Sequence, residues 1–287
     1  MNVAIVSSLE YCNKISEDIA LADALREIGV DCKIVAWNDS DVEWGKFDTA
    51  ILRSAWGYYK YYSNFLKWLG ILDAKQVPLI NDTNMVRWNT QKDKQFGTLN
   101  TFGIPIIPYV VSENLSGLDS IAKMLNSRQI VIKPVVSASG NDTHLINMDL
   151  ITERQLCQIS NKFNNRKCLV QPFIKDITSG EYALVYLGGK LSHAVIRFPG
   201  VFAEKKSPIY MMNQDIPKNI IKLADNTSSS ITKFFGHMPA YARYDIVNDM
   251  LMETELAEPD LMTRNIPEEL KKSALRKLAG LVFKKGK

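Results

Sequence analysis

Two hydrophobic periods alternate along the first 85 residues of the chain. Residues 16–28 and 65–72 carry apolar positions at the three- and four-residue spacing of a helix. Short apolar runs, typical of buried strands, occupy residues 2–6, 32–37, 47–52 and 77–80. Strands that alternate with helices are typical of a parallel sheet, so residues 1–85 are predicted to form a small α/β domain.

The chain beyond residue 86 mixes both periods. A polar helix is predicted over residues 87–99, and Gly103 and Pro105 follow it as breakers. Strands are predicted near residues 129–133, 167–174, 182–186 and 191–198, and helices near residues 118–125, 220–235 and 270–281.

A charged hairpin is predicted near the end of the chain, over residues 241–255. Alternation places Arg243 and Asp245 on one face of its first strand, and Glu253 and Glu255 on one face of its second. Matching these faces sets Asp245 opposite Glu253, Arg243 near Glu255 and Val247 opposite Leu251, with a three-residue turn over residues 248–250.

The three acids of this hairpin suggest a metal site. Carboxylates about 4 Å apart repel by about 1 kcal/mol in water and by about 4 kcal/mol at an effective dielectric of 20, so a half-buried trio needs a cation. Magnesium suits such a trio because it takes oxygen ligands. The alternative is a hairpin whose charges simply face solvent.

A lysine at the end of an apolar strand is the next candidate. Lys133 is followed by small residues, including Ser137, Ser139 and Gly140, whose backbone N–H groups could close over phosphate oxygens. Neither the P-loop spacing nor the dinucleotide-binding glycine spacing is present. The alternative is a strand-end lysine that reaches out to water.

The string Arg53-Ser54-Ala55-Trp56 follows the strand predicted at residues 47–52. Ligands of open α/β sheets bind at the carboxyl ends of strands, so Arg53, Ser54 and Trp56 are candidate substrate contacts. A surface arginine paired with a local acid is an equally good interpretation of Arg53.

Composition limits the classes of protein. The chain has 287 residues, 46% of them apolar, and a net charge of +4. No apolar run approaches the length of a membrane span, no secretory signal opens the chain, and the four cysteines form no CxxC pair, so we expect a cytoplasmic protein with reduced thiols.

The basic C-terminal segment has an apolar stripe, which predicts a docked helix rather than a nucleic-acid tail. We expect neither nucleic acid nor membrane as a partner.

Taken in order, several strings resemble the ATP-grasp superfamily. They are RSAW, RWNTQK, VIKPVVSASGNDT, VQPFI, SGEYALVYLGGKLSHAV and ARYD. They are most similar to the small stand-alone ligases that include the cyclase of cycloserine biosynthesis, with glutathione synthetase more distant. The likeness covers nearly the whole chain. It implies an α/β domain over residues 1–85, an α+β lid over 86–174 and a C-terminal domain over 175–287, with ATP between two antiparallel sheets.

The resemblance also implies roles for individual residues. ATP would be bound by Lys92 and Lys133 at its phosphates, by Gln171, Pro172, Phe173 and Ile174 at adenine, and by Glu181 at the ribose. Asp245, Glu253 and Glu255 would hold Mg²⁺, or alternatively Mn²⁺, and Arg243 and Arg197 would stabilise the transferred phosphoryl group.

Three positions complicate the resemblance. Glu258, just before Pro259, competes with Glu255 as the second metal acid. Gly57 stands where relatives are expected to carry an acid. His193 resembles a family position, but a histidine in an apolar strand is more typical of the core.

The resemblance implies an ADP-forming ligase that activates a small-molecule carboxylate as an acyl phosphate and joins it to an amine. Amino acids are one class of substrate that it allows, and a homodimer is left open. The alternatives are an intramolecular cyclase, a small-molecule phosphotransferase of the same fold, or a nucleotide-binding regulator without turnover.

Overall fold

The computed structural model describes residues 1–138, 140–163, 166–200 and 206–286. Its helices are α1 (Ser16–Glu27), α2 (Tyr62–Ala74), α3 (Thr83–Asn89), α4 (Lys92–Thr101), α5 (Leu118–Met124), α6 (Glu153–Phe163), α7 (Lys218–Phe235) and α8 (Glu268–Lys285). Its strands are β1 (Asn2–Ser7), β2 (Asp31–Ala36), β3 (Thr49–Leu52), β4 (Leu79–Ile80), β5 (Val110–Ser112), β6 (Gln129–Pro134), β7 (His144–Asn147), β8 (Cys168–Pro172), β9 (Glu181–Leu187), β10 (Lys190–Arg197), β11 (Ile209–Met211), β12 (Tyr241–Val247) and β13 (Met250–Glu255).

The first sheet has the strand order β2-β1-β3-β4, and all its pairs are parallel. Residues Val3 to Val6 of β1 are fully buried, because helices cover both faces of the sheet. Helix α8 packs on one face beside α1, with Leu278 and Val282 in the core and lysines outward. The predicted parallel sheet and docked terminal helix are therefore confirmed.

The other two sheets are antiparallel. One has the order β5-β8-β6-β7 and is covered on one side by α5 and α6. The other has the order β11-β10-β9-β12-β13 and packs against α7. The predicted mixed α/β architecture is thus present, while the domain boundaries near residues 85 and 174 stay predictions. No helix in the described ranges is long and apolar enough to cross a membrane.

The closing hairpin β12–β13 differs from its prediction in the turn. Asp245 pairs with Glu253 and Arg243 with Glu255, as predicted, but Val247 pairs with Met250. The turn therefore has two residues, Asn248 and Asp249, both with positive φ, and a bulge beside Asp245 absorbs the extra residue. Asn and Asp tolerate this backbone, whose twist matches that of the strands.

The predicted polar helix over residues 87–99 is also wrong in detail, since α3 ends at Asn89 and α4 begins at Lys92. The reason is tertiary. The Asn89 side chain donates to the Thr254 carbonyl at 2.7 Å and accepts from the N–H groups of Leu256 and Ala257 at 2.8 and 3.0 Å. The break thus fixes the chain after β13, and it lets the Lys92 N–H donate to the Val135 carbonyl at 3.1 Å.

Candidate active site

A cavity of about 440 Å³ lies between the two antiparallel sheets. β6 and β8 supply one wall, β9, β10, β12 and β13 the other, and Trp56 reaches it from the loop after β3. Most of the predicted site residues line it: Trp56, Lys92, Lys133, Ser137, Gly140, Gln171, Pro172, Phe173, Ile174, Glu181, Arg197, Arg243, Glu253 and Glu255. Ser139 lies outside the described residues.

Two lysines enter the cavity, Lys92 from the start of α4 and Lys133 from β6. Lys133 has no carboxylate within ion-pair distance among the described residues, and its Nζ lies 5.9 Å from the centroid of the Phe96 ring. Burial, which favours the neutral amine, lowers its pKa. Lys92 is bound on two sides, because its Nζ donates to the Ser137 carbonyl at 2.7 Å and pairs with Glu253 at 3.0 Å. Lys133 is thus the cation that is left for an anionic ligand.

The three predicted metal acids do come together. Asp245, Glu253 and Glu255 each present a carboxylate oxygen, and these oxygens lie within 4.8 Å of one another. The set of hard oxygen donors fits a divalent cation such as Mg²⁺. Glu258 lies outside this group.

Two arginines offset the repulsion between these acids. Arg243 binds Asp245 through Nε and Nη2, both at 2.9 Å, and Nη2 also reaches Glu255 at 2.6 Å. Arg197 donates from Nη2 to Asp245 at 3.1 Å and from Nε to Glu181 at 2.6 Å. Asp245 is fully buried, so it is held by both guanidinium groups rather than by solvent.

Burial and the neighbouring charges shift the pKa values of two of these acids in opposite directions. Burial raises the pKa of Glu255, and Arg243 only partly opposes it. Burial opposes the charge of Glu253 as well, but Lys92 and Lys133 outweigh it and lower the pKa of that carboxyl. A cation bound here would favour the ionised form of the whole group.

A further polar part of the cavity wall is formed by the end of β8 and the start of β9. Gln171 and Glu181 are almost fully buried, and the amide nitrogen of Gln171 has no partner within the described chain. The N–H of Phe173 is already used, since it donates to the Gln129 carbonyl at 2.8 Å. Gly180, with φ of +110°, turns the chain immediately before Glu181.

Arg53 and Ser54 do not line the cavity. Arg53 is 3% exposed, pairs with Glu17 at 2.5 Å and donates to the Pro259 carbonyl at 2.9 Å. The Ser54 hydroxyl bonds to Asp18 and lies 2.7 Å from that of Ser7. The sequence did not indicate Glu17 or Asp18 because both sit on a helix whose hydrophobic spacing is ordinary.

His193 lies in the core, as its apolar strand indicated. It is fully buried and its Nε2 lies 2.6 Å from the Leu261 carbonyl oxygen. Asn89 was not predicted as a site residue, although it anchors the segment that follows the metal acids. Its signal was only a polar residue inside a polar helix.

Comparison with known proteins identifies the class to which this arrangement belongs. Residues 99–268 match the family described as the ATP-grasp domain of prokaryotic glutathione synthetase, and residues 3–81 match the N-terminal domain of D-cycloserine synthetase DcsG. The first match spans more than half of the chain, so the chain belongs to the ATP-grasp family. This fold binds ATP and typically a divalent metal.

The relatives include the cycloserine biosynthesis protein DcsG of Streptomyces lavendulae, which is 25% identical over 181 residues. That match covers 61% of this chain and 60% of the relative's length. The crystal structure of D-cycloserine synthetase DcsG superimposes with a TM-score of 0.84 at 21% identity, over 100% of both chains.

Two further solved structures share the fold. A RimK domain protein from Sphaerobacter thermophilus has a TM-score of 0.71 at 14% identity, over 98% of this chain and 99% of that one. The D-alanine–D-alanine ligase of Bacillus anthracis has a TM-score of 0.67 at 14% identity, over 100% and 97%.

Proposed function

We propose that the protein is an ATP-dependent, ADP-forming ligase that activates a small-molecule carboxylate as an acyl phosphate and joins it to an amine. The observation that carries this proposal is a cavity of the ATP-grasp fold lined by Lys133, Lys92, Arg197, Arg243, Glu253 and Glu255, with the third acid of the cluster, Asp245, buried directly behind the two arginines. Phosphoryl transfer needs positioning and electrostatic stabilisation more than covalent help, and these groups supply both.

ATP is the first substrate. Lys133 and Lys92 contact its phosphates, together with the backbone N–H groups at Ser137 and Gly140. Gln171, Pro172, Phe173 and Ile174 contact adenine, and Glu181 accepts hydrogen bonds from the ribose. Because Lys92 pairs with Glu253 at 3.0 Å, it stands between the phosphate-binding wall and the metal acids.

Asp245, Glu253 and Glu255 would hold the divalent cation, for which we favour Mg²⁺ because it is usually held by one or two carboxylates together with substrate phosphates; the same donors also suit Mn²⁺. Bound there, the cation would neutralise charge on the phosphates. Arg243 and Arg197 stabilise the transferred phosphoryl group. Their ion pairs with Asp245 fix both guanidinium groups in place, so little reorganisation is needed during transfer.

The carboxylate substrate attacks the γ-phosphorus, and an amine then displaces phosphate from the acyl phosphate. The neighbours named D-cycloserine synthetase and D-alanine–D-alanine ligase support amino acids as the substrate class. An intramolecular cyclase, whose nucleophile lies on the same molecule, is the second candidate, and the likeness to DcsG favours it. We further propose a cytoplasmic location, because the reaction draws on ATP.

A screen for ADP release tests this function. Amino acids of both hands and small carboxylates are added singly to the protein with ATP and Mg²⁺. We expect at least one of them to stimulate ADP release well above the rate without substrate. If no carboxylate stimulates it while ATP still binds, the protein is a nucleotide-binding regulator and the proposed function is wrong.

A further inference from the structure

The charges that line the cavity are nearly all paired within the protein. Among its five acids, four have a cationic partner: Glu181 with Arg197, Glu253 with Lys92, Glu255 with Arg243, and Asp260 with Arg264. The fifth, Glu258, has no cation within ion-pair distance among the described residues. Among the cations that line the cavity, Lys133 likewise has no acid within ion-pair distance in the described part of the chain. The proposed function gives it the phosphates of ATP as a partner.

Glu258 has a place of its own in the cavity. It does not belong to the group formed by Asp245, Glu253 and Glu255, so a metal held by those three leaves its carboxylate free. It lies beside Trp56, which lines the same cavity. The cavity thus has, at its end near the first sheet, a carboxyl group with no cationic partner among the described residues.

The backbone at Glu258 and Pro259 is hydrogen-bonded to the loop that follows β3. Trp56 donates from its indole nitrogen to the Glu258 carbonyl at 3.3 Å, and Arg53 donates to the Pro259 carbonyl at 2.9 Å. Arg53 is itself fixed by Glu17. The string predicted to contact substrate therefore positions residues 258–259, and through them the Glu258 carboxylate.

An unpaired carboxylate in this position is costly. Burial raises the pKa of Glu258 to about 7, and Lys92 offsets the effect only in part. Near the phosphates of ATP a further negative charge would also be repelled. A cationic group of a ligand would remove both costs, and an ammonium beside an aromatic ring and a carboxylate is a common arrangement.

We propose that Glu258 binds the ammonium group of a zwitterionic amino-acid substrate, and so selects amino acids over simple carboxylates. The substrate's carboxylate would then face the metal acids and the γ-phosphate. This inference rests on the proposed function, because it assumes that the cavity takes a small carboxylate beside ATP.

The test is equilibrium binding, which does not depend on turnover. Calorimetry is run on the protein saturated with Mg²⁺ and a non-hydrolysable ATP analogue. The probes are the common amino acids of both hands, each paired with the acid that lacks its amino group, such as propionate for alanine and 3-hydroxypropionate for serine. We expect at least one amino acid to bind wild type more tightly than its paired acid.

For that amino acid, Glu258→Gln should weaken binding by about tenfold to a hundredfold, the loss expected for one charge-assisted hydrogen bond. Its paired acid should bind both proteins equally. Glu258→Asp should retain part of the affinity, because it keeps the charge. Glu268→Gln removes an exposed acid and should change nothing.

Two results would overturn the assignment. One is that no amino acid binds wild type better than its paired acid, or that Glu258→Gln weakens both members of a pair alike. The other is that Glu258→Gln loses affinity for Mg·ADP, because Glu258 would then belong to the metal site. If amino acids bind as expected but none stimulates ADP release, the proposed function fails and the ammonium site stands.

Discussion

At the scale of single residues, the cations that line the cavity are of two kinds. Three of them form ion pairs with acids of the protein, and one is left for an anionic ligand. Among the described residues Lys133 has no acid within ion-pair distance, whereas Lys92, Arg197 and Arg243 are each paired with one. The types and positions of these residues could be predicted, because strand periodicity and family strings fix them. The partner Glu255 of Arg243 followed from the strand register, but the partner of Lys92 could not be predicted, because Lys92 meets Glu253 only through the tertiary fold.

Replacing Lys133 by alanine should weaken nucleotide binding. The lost contact is a charge-assisted hydrogen bond to phosphate, worth about 1.5 to 3 kcal/mol. Titration of Mg·ADP measures the change, and Lys123→Ala, which removes an exposed lid lysine, serves as the control. Unchanged affinity in Lys133→Ala would remove the phosphate role.

Substitutions of two metal acids should have the same effect on turnover but different effects on stability. Glu253→Gln and Asp245→Asn should each lower turnover, on the order of 100-fold or more, because both remove charge from the site of phosphoryl transfer. Glu253→Gln should retain its stability, since Glu253 is partly exposed.

Asp245 is fully buried between two arginines, so Asp245→Asn should also destabilise the fold by about 3–5 kcal/mol. Urea unfolding separates the two effects. A Glu253→Gln enzyme that works at full rate would mean that this acid does not hold the metal.

At the scale of elements, local periodicity predicted which residues share a strand face better than it predicted the exact turn and register. The β12–β13 pairing of Asp245 with Glu253 followed from matching polar faces, but the two-residue turn and the bulge depend on the positive φ of Asn248 and Asp249. The break between α3 and α4 had no local signal, because it depends on the hydrogen bonds of Asn89 to Leu256 and Ala257, which are distant in sequence.

The turn into β9 provides an element-scale prediction. At Gly180 a Cβ atom would lie 2.4 Å from Ile196, and φ of +110° suits glycine alone. Gly180→Ala should therefore lower the free energy of unfolding by about 2 kcal/mol or more. Gly70→Ala, in α2 and free of contacts, should instead raise it by about 0.5–1 kcal/mol. Equal stability of the two variants in urea would contradict this account of the β9 start.

At the scale of the whole molecule, two antiparallel sheets enclose the cavity and the parallel sheet holds its far end through Trp56. Strand and helix periods predicted the kinds of sheet. They could not predict that the loop after β3 would close on residues 258–259, because that contact joins segments about 200 residues apart.

In the proposed reaction, the γ-phosphoryl group of ATP is transferred to a carboxylate inside the cavity. The most direct measurement combines the protein with ATP, Mg²⁺, hydroxylamine and the carboxylate selected by the ADP-release screen, and quantifies all products. Hydroxylamine traps acyl phosphates, so we expect hydroxamate and ADP in equal amounts, even without the natural amine. ADP with a phosphorylated alcohol would indicate a phosphotransferase, and AMP with pyrophosphate would contradict the account.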